Sequence, residues 1–476
     1  QNPILVNWRF SRSLIPSILH PMPNPYERTP EKIVAPPTGW LNTAKRLGPG
    51  FVLSASIVGS GELIATTIFG AQVGFICLWL ILFSCLVKVA IQIEFGRFTI
   101  YSGKTSMQAL DELPGPRLGR ASWAVWSWFV THSLKNLQVG GIIGGVALAL
   151  SALYNLGDYS NVIWTIVAAS LTILVVSRGI YGPIEKWSII MIGLFTIFTV
   201  VSLISLQWTP FAISGNEIAS GFGFELPASA LILVALGTFS ITGVGGDEVL
   251  AYNYWLIEKG YASFTGPEPE TLSPEWLARA KGWIRVMQLD AALSMICYTL
   301  VTALFYLLGA AILHSQKIVP EGNELITVLS KMYTDSLGPW AEKAFLIGAV
   351  VVLFSTLLAA LAAWTRLFSD AFGRFGWIDF NDEKQRRKSI AILSIIFPII
   401  WSILYFQIGK PGFMVIIGGA LTMIILLIVV FAAIVMRYKW LPQELRPSRA
   451  FDLALWLSIV AIVAAGIVSA TKYFVA

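Results

Sequence analysis

Long apolar runs, separated by short polar or charged stretches, set the pattern of this chain. A membrane-crossing helix needs roughly 20 mostly apolar residues. By that rule about eleven spans are expected, near 48–74, 76–100, 123–154, 161–177, 183–206, 228–257, 286–314, 338–370, 389–407, 411–436 and 451–474. The third and eighth are long enough to tilt or to extend beyond the bilayer. Residues 1–40 are different: rich in proline, with no apolar run long enough to span. They read as a polar tail that lies partly on the protein or forms a short surface helix over Ile4–Leu19.

Two of the runs are interrupted. Gly48–Thr67 reads GPGFVLSASIVGSGELIATT; it breaks at Gly59, Ser60 and Gly61, and Glu62 follows directly. Leu231–Leu256 breaks at Gly243, Val244, Gly245 and Gly246 and carries Asp247 and Glu248. Two Gly-interrupted hydrophobic segments of this kind point to a transporter binding site. At such a break the carbonyls of the first half-helix, here near Ile57, Val58, Thr242 and Gly243, lose their partners and become cation ligands. The freed N–H groups of the second half, at Gly59–Gly61 in the first run, can hold an anion. An ionisable group in a span is costly unless paired or hydrated, so Glu62, Asp247 and Glu248 are functional candidates. Carboxylates with carbonyls form an oxygen-rich site that suits a hard cation or an ammonium group. Glu62 and Asp247 are the candidate metal ligands. The plainer reading, that they cap the resumed half-helices, is compatible with binding.

Other charges fall inside spans. Glu94 and Arg97, three apart, are expected to pair near one helix end. Lys88 is deeper and needs another partner, such as a carboxylate of a broken helix. It could also stand where another transporter keeps sodium, or relay protons. Lys88, Glu94, His132 and Lys135 are the candidates for a coupling or proton path. Asp370 is expected to pair with Arg366, four residues before it. Other patterns lead nowhere. SGKT at 102–105 lacks the glycine that a phosphate-binding loop needs, since Phe98 stands there. The three histidines have no zinc spacing, and no hydrolase elbow or kinase motif is present, so an enzyme is not expected. GGIIGG at 140–145 lets helices approach closely. The tryptophans are expected mostly at span ends, as interfacial anchors.

Composition agrees with the pattern. Of 476 residues, 56% are hydrophobic and 13% are charged, against about 25% charged in soluble domains. Lipid and a small solute are therefore the expected partners, not nucleic acid, and no cofactor is implied. The net charge of +6 is explained by loop asymmetry. Placing the N-terminus inside puts the basic clusters around Lys45, Arg117, Arg279, Arg386 and Arg437 on the cytoplasmic side. Outside remain Lys317, Lys331, Lys343, Lys410 and Lys472. No short apolar leader with a cleavage site precedes the first span, so no cleaved signal peptide is expected. Cys77, Cys85 and Cys297 lie in apolar runs and define no disulfide framework.

The expected organisation is a cytoplasmic tail at 1–40, a first repeat at 41–206, a second at 228–436 and a last helix at 451–476. Each repeat opens with a broken helix, and an odd number of spans per repeat inverts one against the other. The inside loop 258–285 contains a helix start at Ser273, Pro274 and Glu275. The amphipathic WLARAKGWIRVM that follows is expected to lie on the membrane surface before the seventh span.

GPGFVLSASIVGSGE resembles the first helix of the NRAMP divalent-metal transporters, which opens with GPGF and breaks at Asp-Pro-Gly-Asn. YSGKTSMQALDE, after the long second helix, resembles the loop that follows that family's second helix. The resemblance implies a LeuT-like fold of two inverted five-helix repeats plus one helix, with helices 1 and 6 broken. It also implies proton-linked uptake of manganese or ferrous iron by alternating access. The departures fall on the site. Gly59, Ser60, Gly61 and Glu62 replace the first motif. Gly245, Gly246 and Asp247 stand where the sixth helix of the family has Met-Pro-His. The methionine thioether, which favours transition metals, is gone.

The leading expectation is therefore a secondary transporter of a hard divalent cation such as magnesium or manganese, in a bacterial inner membrane. Its site would draw on Glu62, Asp247, Glu248 and the carbonyls at the breaks, with Ser60 and Gly245 beside them, in one shared hydrated cavity. The alternatives are a carrier of an amine-bearing solute such as an amino acid, and a non-transporting sensor or scaffold.

Overall fold

In a computed structural model the described residues are 24–177, 181–268 and 272–475. The surface helix considered over Ile4–Leu19 lies outside them. The described chain is helical apart from loops and one two-residue hairpin, Arg117–Leu118 with Ala121–Ser122. Among the described residues nine helices are long and apolar enough to cross a membrane, ten when the bent first pair counts as one. A further 25-residue helix, Tyr181–Ser205, lies where the sequence places the fifth span.

Both expected breaks are present. The first span runs Pro49–Ile57, halts at Val58 and Gly59, resumes as a wide π-helical stretch Ser60–Thr66, and ends as Thr67–Val73. Its two arms are bent by 42°. The sixth span runs Ile232–Ile241 and Gly246–Lys259. Between its halves Thr242 is extended and Gly243 turns left-handed at φ +65°, a conformation that glycine adopts at little steric cost. Gly59 answers a different demand. A Cβ there would stand 1.8 Å from Thr356 Oγ1, so the eighth span, Ala341–Phe375, runs directly against the first break.

The second span, Leu78–Ser102, and the seventh, Pro274–Leu308, lie along the broken pair. The third, Trp123–Leu153 with Lys135 at an internal joint, packs against the ninth, Glu383–Ile408, and the tenth, Pro411–Val435. Its glycines allow that approach: a Cβ on Gly144 would lie 2.4 Å from the Tyr405 ring, and one on Gly141 2.7 Å from the Pro411 carbonyl. The eleventh span, Arg449–Val475, flanks the second and tenth. An ion cluster joins these three: buried Glu94 meets Arg97 at 3.4 Å and Arg437 at 4.0 Å, and Arg437 also holds the half-buried Asp452.

Two local expectations are corrected. Trp276–Met287 is not a separate surface helix; it forms early turns of the 35-residue Pro274–Leu308. Its apolar face buries Trp276, Trp283, Ile284 and Met287 in protein. Tyr101 covers Trp276, Tyr261 and Phe264 cover Trp283, and the N-terminal segment adds to that cover, with Trp283 Nε1 donating to the Val34 carbonyl at 2.9 Å. Asp370 is bound four residues on, by Arg374 at 3.3 Å, while Arg366 grips both oxygens of Glu258. Trp128, Trp283 and Trp401 are interior groups, while Trp208, Trp340 and Trp377 are exposed at span ends.

The N-terminal segment is tied down along the ends of several spans. Tyr26 donates to Glu258, Arg28 to the Tyr101 carbonyl and Thr265 Oγ1, and Arg386 to Asn24 Oδ1. Nearby, Thr105 caps the short helix Ser106–Asp111 and donates to Asp370, which Tyr254 also donates to at 2.7 Å. The SGKT stretch is thus a turn and a helix cap.

Asp290 on the seventh span fastens the start of the first. It accepts from Gly48 N at 2.8 Å, Gly50 N at 2.5 Å and Tyr252 OH at 3.2 Å. A carboxylate here also meets the positive end of the helix dipole. Asp290→Ala strands these donors at a cost of about 1–3 kcal/mol each. It should lower the melting temperature in detergent by several degrees, and Asp290→Asn by less, since an amide oxygen still accepts.

Candidate functional site

The sixth break is satisfied by two side chains of opposite charge. Breaking a helix frees carbonyls at the end of its first half and N–H groups at the start of its second. Lys88, fully buried on the second span, takes the carbonyls. Its Nζ donates to Phe239 O at 2.7 Å, to Thr242 O at 2.5 Å and, more weakly, to Ser240 O at 3.4 Å. The Phe239 ring centroid lies 5.3 Å from the same nitrogen. Glu62 takes an N–H: its Oε1 accepts from Gly243 N at 3.1 Å and from Thr302 Oγ1 at 3.2 Å. Its Oε2 is buried without a hydrogen-bond partner. The first break therefore reaches across to the second through its own carboxylate. A Cβ on Gly61 would sit 3.2 Å from the Ile241 carbonyl, so the two breaks abut.

Asp247, in the first turn of the resumed sixth helix, is held by the third span. His132 Nδ1 lies 2.8 Å from its Oδ1, and the Lys135 ammonium is in direct contact with Oδ2. His132 is boxed by Trp128 and Trp364, with ring centroids 4.8 and 4.0 Å away. Glu248 is half-buried and makes no hydrogen bond or ion pair within the described residues. Asp247, Glu248 and Lys135 line a cavity of about 50 Å³ with Ser56, Gln138 and Thr356. Gln138 Oε1 is a buried acceptor without a partner. A second cavity, of about 380 Å³, lies between the far half of the first span, the near half of the sixth and the tenth, with Gln72, Glu321 and Lys410 in its wall.

The three acids do not share one chamber. Asp247 and Glu248 face the small cavity; Glu62 is sealed at the junction of the breaks and is not part of that wall. Lys88 has carbonyls for partners, not a carboxylate, because a half-helix end offers several oxygens within one reach. Those carbonyls, including Thr242, are consequently occupied from within the chain. Glu94 belongs to the ion cluster with Arg97 and Arg437, apart from His132 and Lys135. Among the described residues no three of His, Cys, Asp and Glu are grouped to hold a metal. Glu62 and Asp247 form no ready-made pair of ligands, since both Asp247 oxygens are engaged. Ser56, Gln138, Thr302 and Thr356 were not singled out from the sequence. Their signal was a lone polar residue in an apolar run, and Gln138 also lies three residues after Lys135, on the same helix face.

Two pairs of variants probe this geometry. Asp247→Ala leaves a buried ammonium uncompensated and should cost about 3–5 kcal/mol. Combining it with Lys135→Met should restore much of the loss, as a double-mutant cycle by thermal unfolding would read. Gly59→Ala should destabilise through the clash with Thr356. Thr356→Ala should relieve it only in part, because the Thr356 Cβ, 2.6 Å from the new methyl, stays.

The comparisons with known proteins agree with this architecture. A divalent metal cation transporter, MntH, of Pectobacterium carotovorum is 23% identical over 73% of this chain and 76% of its own length. A manganese transporter structure from Eremococcus coleocola superposes with TM-score 0.60 at 16% identity, covering 93% of this chain and 90% of that one. MhsT, solved with L-phenylalanine, superposes with TM-score 0.58 at 17% identity, over 89% of this chain and 98% of its own. These neighbours share the LeuT-like helical arrangement that the sequence implies. The model of the natural resistance-associated macrophage protein-like family matches residues 50–472. The chain, an integral membrane protein, belongs to that family, which is one of secondary transporters and not of enzymes.

Proposed function

We propose that the chain carries a small hard cation, a divalent metal such as magnesium or manganese in the first place, across a bacterial inner membrane by alternating access. Its N-terminus is cytoplasmic in this reading, and protons are the coupling ion. The observation that carries it is the cavity of about 50 Å³ with Asp247, Glu248 and the open Gln138 oxygen in its wall. A water needs about 10–15 Å³ of cavity space of this kind, and pockets for drug-sized ligands run to several hundred. The chamber thus suits an ion with a few waters. Its oxygen donors and the loss of the thioether favour a hard ion. The relatives named as divalent-metal and manganese transporters support the substrate class. Lys135 is the internal competitor: its ammonium neutralises Asp247 until a cation takes its place.

A second reading, an amine-bearing solute such as an amino acid, is favoured by one observation. Asp247 already binds an ammonium group, that of Lys135.

Liposomes loaded with a metal-sensitive dye test the first reading. Manganese influx, competed by magnesium, is expected. Glu248→Gln should lower it by about tenfold, the equivalent of about 1.4 kcal/mol of cation attraction. Glu62→Gln should slow it as well. Absence of divalent uptake, with amino acids but not metals raising the melting temperature, would replace the first reading by the second.

A further inference from the structure

We infer that Lys88 is a tethered cation: its ammonium permanently fills a carbonyl site at the sixth break that would otherwise take a free monovalent ion such as sodium. The inference does not depend on which substrate crosses.

A buried ammonium is normally neutralised by a carboxylate. Among the described residues Lys88 has no carboxylate within ion-pair distance; its ammonium meets the carbonyls of Phe239, Ser240 and Thr242 and the Phe239 ring. Ser84, one turn earlier on the same helix, donates to two of those oxygens, Phe239 O at 2.7 Å and Thr242 O at 3.2 Å. Several backbone oxygens, freed by one break and turned toward one point, make the ligand set that suits a hard monovalent ion. Here the positive charge arrives on a side chain anchored in the second span. It cannot dissociate, so the break needs no ion from solution and stays braced throughout a transport cycle. A brace of purely steric kind would fill the same space but would not be replaceable by sodium.

Thermal unfolding of the purified full chain in detergent separates the two. Wild type, Lys88→Ala and Lys88→Met are melted in sodium, potassium and choline chloride at constant ionic strength. The wild type should melt at one temperature in all three. Lys88→Ala should melt lower in choline and recover with sodium in a saturable way. Lys88→Met should melt lower and not recover, because its side chain fills the site without charge. A sodium-specific rise in the wild type would overturn the inference, as would a Lys88→Ala protein that is indifferent to sodium. If Lys88→Ala yields no folded protein, Lys88→Gly with added sodium takes its place and is read in the same way. No transported substrate is present in these melts, so their failure is distinct from a failure of the proposed transport.

Discussion

A severed helix inside a membrane protein must have its loose ends satisfied without bulk water. The interior of this chain is organised by that constraint at the sixth span. The carbonyls left at the end of Ile232–Ile241 carry partial negative charge and meet the ammonium of Lys88. The Gly243 N–H meets the carboxylate of Glu62. The ammonium meets the negative end of the first half-helix, and the carboxylate takes an N–H of the linker between the halves. Because the two side chains come from the second and first spans, repairing the break also fixes both neighbours against the sixth. Thr302 adds the seventh.

The resumed half of the sixth helix is tied differently. Asp247 is the sole acid of the site with both oxygens in contact with charged or ionisable groups of the third span. One boundary runs between the broken first and sixth spans and the third and eighth. The contact of Asp247 with Lys135 crosses that boundary, and so does the close approach of Gly59 to Thr356. The small acidic cavity opens on the same seam. In the proposed reading, charge matching at the seam bears on both the resting conformation and the affinity for a cation, since an incoming ion would compete with Lys135 for the same carboxylate.

The face that carries the N-terminal segment is densely fastened. Asp290 holds the start of the first span, Asp370 ties Thr105 to Tyr254 and Arg374, and Glu258 takes Tyr26 and Arg366. The larger cavity, about 380 Å³, lies on the other side, walled by apolar positions such as Ile68, Val234 and Ile416 with Glu321 and Lys410. Carboxylates thus perform two distinct tasks in this fold. Those near the fastened face lock helix ends together; those at the breaks hold or compete for charge.

The order of the apolar runs, the two breaks and the family resemblance are legible in the chain of residues alone. Each of these is written in local terms: length of an apolar run, glycines within it, and a motif read in order. The sequence also singled out Lys88, Glu62, Asp247, Glu248, His132 and Lys135, because a charge in an apolar run is conspicuous wherever it points. Tertiary structure alone decided how these groups are paired. The partners of Lys88 are more than a hundred residues away in the chain, as are those of His132 and Glu62. Their choice depends on which faces of separate helices meet, and helical periodicity gives a face but not its neighbour. The same holds for Trp276–Met287, whose amphipathic pattern fits a lipid surface or a protein surface equally. Tyr101, Tyr261, Phe264 and the N-terminal segment supply the protein surface, and burying the tryptophans against it removes the same apolar area from water.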